Sequence, residues 1–253
     1  MFAGVEALSK TKLRLFRTLQ QKRGRRKHRM FLAEGWKLLN EALQAGWQPQ
    51  AVVYNQELEA QVLSAPIPEA VPLYSLPPGQ LSELTDQPNP EGVFTVLQLP
   101  PHRPVTGLRG PAMVLWQVQD PGNFGTLLRS AEWFGFSAIY CAPGTVDCYN
   151  PKVVRASMGA LFHLPVYYPE NLAELLASTT LPVYAAHMHG EAVAPGQLAP
   201  TGLLLLGNEA NGLPPELLAY RTVKPVRIPG RGASDSLNVA VAGSILAYIM
   251  AGT

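Results

Sequence analysis

Three stretches in the second half of this sequence gather the residue types that handle a polar ligand. They are Asp120-Pro-Gly-Asn-Phe-Gly125, Gly207-Asn-Glu-Ala-Asn-Gly212 and Pro229-Gly-Arg-Gly-Ala-Ser-Asp-Ser236. Each follows an apolar run that reads as a strand, and open parallel sheets bind ligands beyond such strand ends. Their glycines and small side chains leave backbone N–H groups free to face a ligand. Arg129 lies six residues after Asn123, so a loop and the first turns of its helix can present both near one site. Asn123 either bonds a ligand, fixes Arg129, or caps the helix. Glu209 holds Arg129 or polarises a hydroxyl, unless it is a solvated loop acid. Ser236 and Asn238 either bond the acceptor, orient Glu209, or cap the last helix. The plain alternative for Arg129 is a surface arginine paired with Glu132.

Other chemistries fit poorly. A dinucleotide site needs GxGxxG after the first strand and an acid after the second. The first loop has only Gly122 and Gly125, and the second strand ends in Cys141-Ala-Pro. His187-Met-His189 lacks a third ligand, so no metal is expected. Cys141 and Cys148 form neither a CxxC nor a disulfide framework. No run approaches the ~18 apolar residues of a membrane helix. The amino terminus lacks the basic-then-apolar secretory pattern, so a cytoplasmic, membrane-free protein is expected.

The elements that must position these residues read as alternating strands and helices. Strands are expected at Ala112–Val118, Ser137–Cys141, Pro165–Tyr168, Leu181–Ala186, Gly202–Leu206 and Val223–Ile228. Helices are expected at Thr126–Phe134, from Pro151 behind the cap Asn150, and at Leu172–Ala177. The alternation predicts a mostly parallel α/β sheet. The last stretch, Val239–Met250, is apolar on almost every side and predicts a helix buried all round, with Ser234, Asp235 or Ser236 as cap.

Upstream, residues 1–99 read as a smaller α/β unit, and 100–111 as a stiff Pro-rich linker, leaving 112–253 as the second domain. Residues 1–29 hold ten Lys or Arg against one acid, a net of +9; the remainder nets −7. Within that segment Arg23, Arg25, Arg26 and Lys27 form a predicted basic turn. A cationic arm on an acidic protein suggests a polyanion such as RNA.

Together the loops resemble the three motifs of the SpoU (TrmH) branch of the SPOUT RNA methyltransferases. The first is Asp120-Pro-Gly-Asn-Phe-Gly with Arg129, and the second is Leu206-Gly-Asn-Glu-Ala-Asn-Gly-Leu213. The third is Ile228-Pro-Gly with Ser236-Leu-Asn-Val-Ala-Val241. Asn150–Ala160 resembles the family's intermediate segment, with Arg155 on it as a candidate phosphate contact. The amino-terminal unit, with Phe31-Leu-Ala-Glu-Gly before a helix, resembles the L30e-like substrate-binding domain.

The resemblance implies a C-terminal trefoil knot, S-adenosylmethionine as methyl donor, a ribose 2′-hydroxyl as acceptor, and a homodimer whose site spans both subunits. It implies catalytic roles for Arg129, Asn123, Glu209, Ser236 and Asn238. Backbone at Gly207, Ile228 and Leu237 would hold the donor, with Leu206 and Gly230 as neighbours. Gly230 stands where the family commonly has Met, and Arg231 follows it. The appended domain favours ribosomal over transfer RNA. A non-catalytic RNA-binding factor that keeps the fold is the competing class.

Overall fold

The computed structural model describes residues 5–102, 104–232 and 236–252. The chain forms two compact units. One comprises Met1–Pro101 with Tyr149–Phe162, the other His102–Cys148 with His163–Thr253. In chain order the elements are β1 (Glu6–Ala7), α1 (Lys10–Thr18), α2 (Lys22–His28), β2 (Met30–Glu34), α3 (Trp36–Gln44), β3 (Pro49–Asn55), α4 (Glu59–Ser64), β4 (Leu73–Leu76) and β5 (Val93–Gln98). Then come β6 (Ala112–Leu115), α5 (Pro121–Trp133), β7 (Ala138–Cys141), α6 (Pro151–Ala156), β8 (Val166–Tyr167) and α7 (Leu172–Ser178). The chain ends with β9 (Val183–Ala192), β10 (Leu203–Leu206), α8 (Pro215–Leu218), β11 (Val223–Arg227) and α9 (Val239–Ala251).

The second unit is built on a sheet ordered β11-β9-β10-β6-β7-β8, and every neighbouring pair is parallel. Its central strands, Ala-Met-Val-Leu and Leu-Leu-Leu-Leu, are fully buried. Uniformly apolar strands belong where both faces are covered. On one face Ala112, Val114, Leu203 and Leu205 pack with Leu172 and Leu176 of α7 and Leu217 of α8. The other face carries α5 and α9. A Cβ at Gly243 would lie 2.4 Å from Leu127 and 2.7 Å from Leu206, so glycine lets α9 close onto α5 and β10.

Three local expectations change here. Helix α5 begins at Pro121 rather than Thr126, because Asp120 Oδ1 accepts the Asn123 N–H at 2.7 Å. Pro121 fits the first helical position, where its missing N–H is no loss. Helix α9 is capped by Asn238, whose side chain accepts from Ala240 and Val241; Ser236 does not cap it, and Ser234 and Asp235 lie outside the described residues. Nor is α9 buried all round: Val241 is 47% and Tyr248 43% exposed. The carboxyl part of the Pro-rich stretch packs against the second unit. Val105 and Leu108 pack on the second unit's core, and the Arg109 N–H donates to Tyr140 Oη at 3.2 Å.

The first unit has a mixed sheet ordered β1-β4-β3-β5-β2, with β5 antiparallel to both neighbours. Leu13, Phe16 and Leu19, in and just beyond α1, cover one face against Leu32, Val53, Phe94 and Val96. Leu39 of α3 and Val62 of α4 cover the other against Val52, Tyr54, Leu73 and Val93. The basic segment is therefore a packed part of this unit rather than a detached arm, and its predicted turn is helix α2. Arg25 is 2% exposed and donates to the Leu19 and Gln20 carbonyls, so it closes the end of α1 and is not presented to a ligand.

Segment 149–162 also packs in this unit. Asn150 caps α6 by accepting from the Lys152 N–H at 2.9 Å. Trp47 Nε1 donates to the Phe162 carbonyl at 3.0 Å, and the Phe31 and Tyr149 rings lie 4.7 Å apart. Arg155 spans Glu34 at 3.2 Å and Asp86 at 2.8 Å. Its guanidinium is thus committed to carboxylates, against the expectation of a phosphate contact. Burial pushes the Glu34 carboxyl up, with Thr85 and Arg155 only partly opposing it.

Arg155→Ala would strand Glu34, whose side chain is 9% exposed. Loss of one partner of a buried pair costs roughly 3 kcal/mol. Denaturant unfolding at neutral pH should show a deficit of that order, shrinking as pH falls and Glu34 takes up a proton. An unchanged midpoint would contradict the pairing.

Candidate active site

The first two ligand-type loops meet at the carboxyl edge of the parallel sheet, and Asn238, which follows the third, joins them there. β6 delivers the first, β10 the second and β11 the third. The junction is a chain of side-chain hydrogen bonds. Asn238 Nδ2 donates to Asn123 Oδ1 at 2.9 Å, and Asn123 Nδ2 donates to Glu209 Oε1 at 3.1 Å. Glu209 also accepts the backbone N–H groups of Gln119 and Asp120, each at 3.3 Å. The two asparagines sit where they do because each belongs to a helix start: Asn123 in the first turn of α5, Asn238 as the cap of α9.

Burial pushes the Glu209 carboxyl up. Hydrogen bonds from Asn123 and from the N–H groups of Glu209 itself, Gln119 and Asp120 outweigh that and hold it below the usual carboxylate range. Such a group is an anionic anchor at neutral pH. It is the wrong kind of group for a proton acceptor poised near pH 7.

Local folding explains why Glu209 reaches the first loop. Asn208 and Gly212 bond each other's backbone, and Asn208 Oδ1 accepts from Ala210 and Asn211. A Cβ at Gly207 would lie 2.5 Å from the Gly212 backbone, so this tight turn requires glycine. Leu206 is buried at the end of β10, while Gly230 and Leu237 are exposed and Ile228 is half-buried. Gly230 has open space where a Cβ would stand. These strand ends offer backbone donors and acceptors beside apolar side chains.

Not every expected residue joins the junction. Arg129 is exposed on α5, and among the described residues it pairs with neither Asn123, Glu209 nor Glu132. Six residues turn a helix by about 600°, which leaves Asn123 and Arg129 roughly 120° apart around the axis. Arg129 instead shares an exposed face with Trp133, four residues on. Ser236 is exposed and makes no hydrogen bond among the described residues.

Residues given no role by the sequence also sit at this edge. Thr145 and Asn208 bond the Gln117 backbone. His187 and His189 lie within β9, between its two stretches paired with β11, and their ring centroids are 5.6 Å apart. Nothing in their spacing marks the Thr145–Gln117 link, because it joins residues 28 apart through tertiary structure.

A family model described as SpoU rRNA Methylase matches residues 111–248, and one described as an MRM3-like substrate binding domain matches residues 10–95. The chain is 30% identical over 254 residues to the 23S rRNA (guanosine(2553)-2′-O)-methyltransferase RlmP of Bacillus subtilis, covering 98% of this chain and 99% of that one. A TrmH-family RNA methyltransferase structure from Porphyromonas gingivalis superposes with a TM-score of 0.82 at 32% identity, covering 96% of this chain and 98% of the other. An AdoMet-bound rRNA methyltransferase from Sinorhizobium meliloti superposes at 0.81 and 31% identity, covering 97% of each chain.

The lowered carboxyl of Glu209 sets a pH window. Its bonds are complete above the ordinary carboxylate range and fail only as pH falls through its depressed folded value. NMR signals of the Asn123 and Asn238 side-chain amides should stay constant from neutral pH down to that range, then collapse together. A titration of either amide near pH 7 would show that Glu209 is not the anchor.

Proposed function

The chain belongs to the SpoU rRNA methylase family, and from that premise we propose that it methylates a ribose 2′-hydroxyl of ribosomal RNA with S-adenosylmethionine as methyl donor. The observation that carries this reading is the junction of the first two loops and the start of α9 through Asn238, Asn123 and Glu209 at one sheet edge. Leu206, Gly207, Ile228, Gly230 and Leu237 are the donor-binding set, chiefly through their backbone. The bound donor supplies an electrophilic methyl group on sulfur. The ribose oxygen forms the new O–CH3 bond as the C–S bond breaks and its electron pair stays on sulfur. The hydroxyl proton leaves to water.

What the chain must add is alignment, which is worth on the order of 7–11 kcal/mol in well-oriented reactions. Arg129 is the clamp: its fork holds the phosphate next to the target ribose. A guanidinium with a pKa above about 12 is a poor proton acceptor, so clamping fits it better than base catalysis. Asn123 and Asn238 hold the acceptor edge against the anionic Glu209, and Ser236 bonds the ribose.

The first unit binds the RNA. Its match to a substrate-binding domain supports this, as does the exposed set Arg23, Arg26 and Lys27 on α2. The named 23S rRNA relative favours ribosomal over transfer RNA. Two copies pair through α5 and α9, where Trp133, Val241 and Tyr248 are exposed, with the exposed Leu237 just ahead of α9. That pairing brings Arg129 to the interface, so the site draws on both copies. A threaded C-terminal knot, residues 1–99 as substrate domain and 112–253 as methyltransferase domain, and a cytoplasmic location complete the reading. No helix among the described residues is long and apolar enough to cross a membrane.

Arg129→Ala should lower methyl transfer from labelled S-adenosylmethionine to ribosomal RNA at least about a hundredfold, with donor affinity in calorimetry unchanged. Loss of donor affinity instead would remove the clamp role. RNA binding without any transfer by the unmodified protein would favour a non-catalytic factor. Replacing Arg23, Arg26 and Lys27 together with Ala should reduce the salt slope of RNA binding by roughly 2–3; an equal slope would place the RNA elsewhere.

A further inference from the structure

The chain leaves β6 through a residue in an uncommon conformation. Gln117 has φ of +56°, in the left-handed region that a non-glycine residue seldom occupies. The residue is held there from two sides. Its N–H donates to Thr145 Oγ1 at 3.1 Å, and its carbonyl accepts from Asn208 Nδ2 at 2.8 Å. Thr145 is 5% exposed, and its hydroxyl donates in turn to the Leu115 carbonyl at 3.1 Å. One residue later, the Val118 carbonyl accepts from Val146 at 3.0 Å. The next two N–H groups, of Gln119 and Asp120, are those that reach Glu209. Asp120 then caps α5, the helix that carries Asn123 and Arg129.

We propose that Thr145 and Asn208 are positioning residues for methyl transfer: by fixing the left-handed turn at Gln117, they aim the Gln119–Asp120 backbone at Glu209 and so set where Asn123 and Arg129 stand. The inference rests on the methyltransferase reading above. A strained backbone persists where its surroundings over-determine it, and such places cluster at functional sites. Here the determinants are two side chains from different loops, one after β7 and one after β10. Among the described residues, neither side chain hydrogen-bonds Asn123, Glu209 or Asn238. Asn208 has a double part, since its Oδ1 folds the second loop while its Nδ2 grips the first.

The test separates these roles. Thr145→Val keeps the volume and removes the hydroxyl, while Thr145→Ser keeps the hydroxyl. Asn208→Asp keeps the Oδ1 acceptor for Ala210 and Asn211 and loses the donor to Gln117. Single-turnover methyl transfer to ribosomal RNA is measured beside donor binding, RNA KM and thermal unfolding. Thr145→Val and Asn208→Asp should each lower kcat about tenfold or more, with donor affinity and RNA KM within about twofold, and Thr145→Ser should restore the rate. Wild-type kcat in Thr145→Val, a Thr145→Ser variant no faster than Thr145→Val, or a rate loss that merely follows lost donor affinity would each overturn the proposal. If the unmodified protein transfers no methyl group, the methyltransferase reading fails, and crystals of Thr145→Val still decide whether these side chains fix the turn at Gln117. Gln117 must leave the left-handed region in Thr145→Val; an unmoved Gln117 overturns it.

Discussion

One carboxylate holds the carboxyl edge of the parallel sheet together. Glu209 accepts from a side-chain amide and from two backbone N–H groups of a different loop. Charge-assisted bonds of this kind are about twice as strong as neutral ones. They replace a sheet ladder where the strands have ended. The loops after β6 and β10 would otherwise be short polar segments with few apolar contacts, the sort that open locally. With Glu209 charged, the start of α5 is tied to the second loop, and Asn238 ties the start of α9 to the start of α5. The site is thus assembled by polar bonds on top of a dry core. The core strands supply position, and the anion supplies the angle at which two helices begin.

Much of this was legible in the sequence, for physical reasons. Leu203–Leu206 and Ala112–Leu115 are apolar without alternation, and only a sheet covered on both faces accepts that pattern. Gly, Asn and Asp clusters marked the strand ends. The sequence was less informative where one residue type serves two purposes. Pro121 and Gly122 read as loop residues, yet proline suits the first turn of a helix and Asp120 caps it. Ser236 and Asn238 were equal candidates for the α9 cap; the wider reach of the amide side chain let Asn238 bond the helix and Asn123 at once. The apolar pattern of α9 could not distinguish a face against the core from the exposed face at Val241 and Tyr248.

Charge was the least legible property. Ten cations in the first 29 residues suggested a uniform basic arm. Folding spends some of them internally. Arg25 closes α1 from a buried position, and Arg17 lies 3.6 Å from Glu83. Arg155, far away in sequence, is drawn to Glu34 and Asp86 because segment 149–162 packs in the first unit. Arg23, Arg26 and Lys27 stay exposed on α2. Formal charge counts therefore overstate the surface that a polyanion meets, and burial decides which cations remain.

The central claim is that Asn238, Asn123 and Glu209 act as one unit. A double-mutant cycle on methyl transfer tests it most directly, with Asn123→Ala, Asn238→Ala and the pair compared at saturating donor. Residues in one hydrogen-bonded network show coupling of roughly 0.5–3 kcal/mol. The network predicts coupling of at least about 1 kcal/mol, the double variant being little worse than either single one. Rate losses that simply add would mean that the two asparagines work separately and that the junction is not what organises the site.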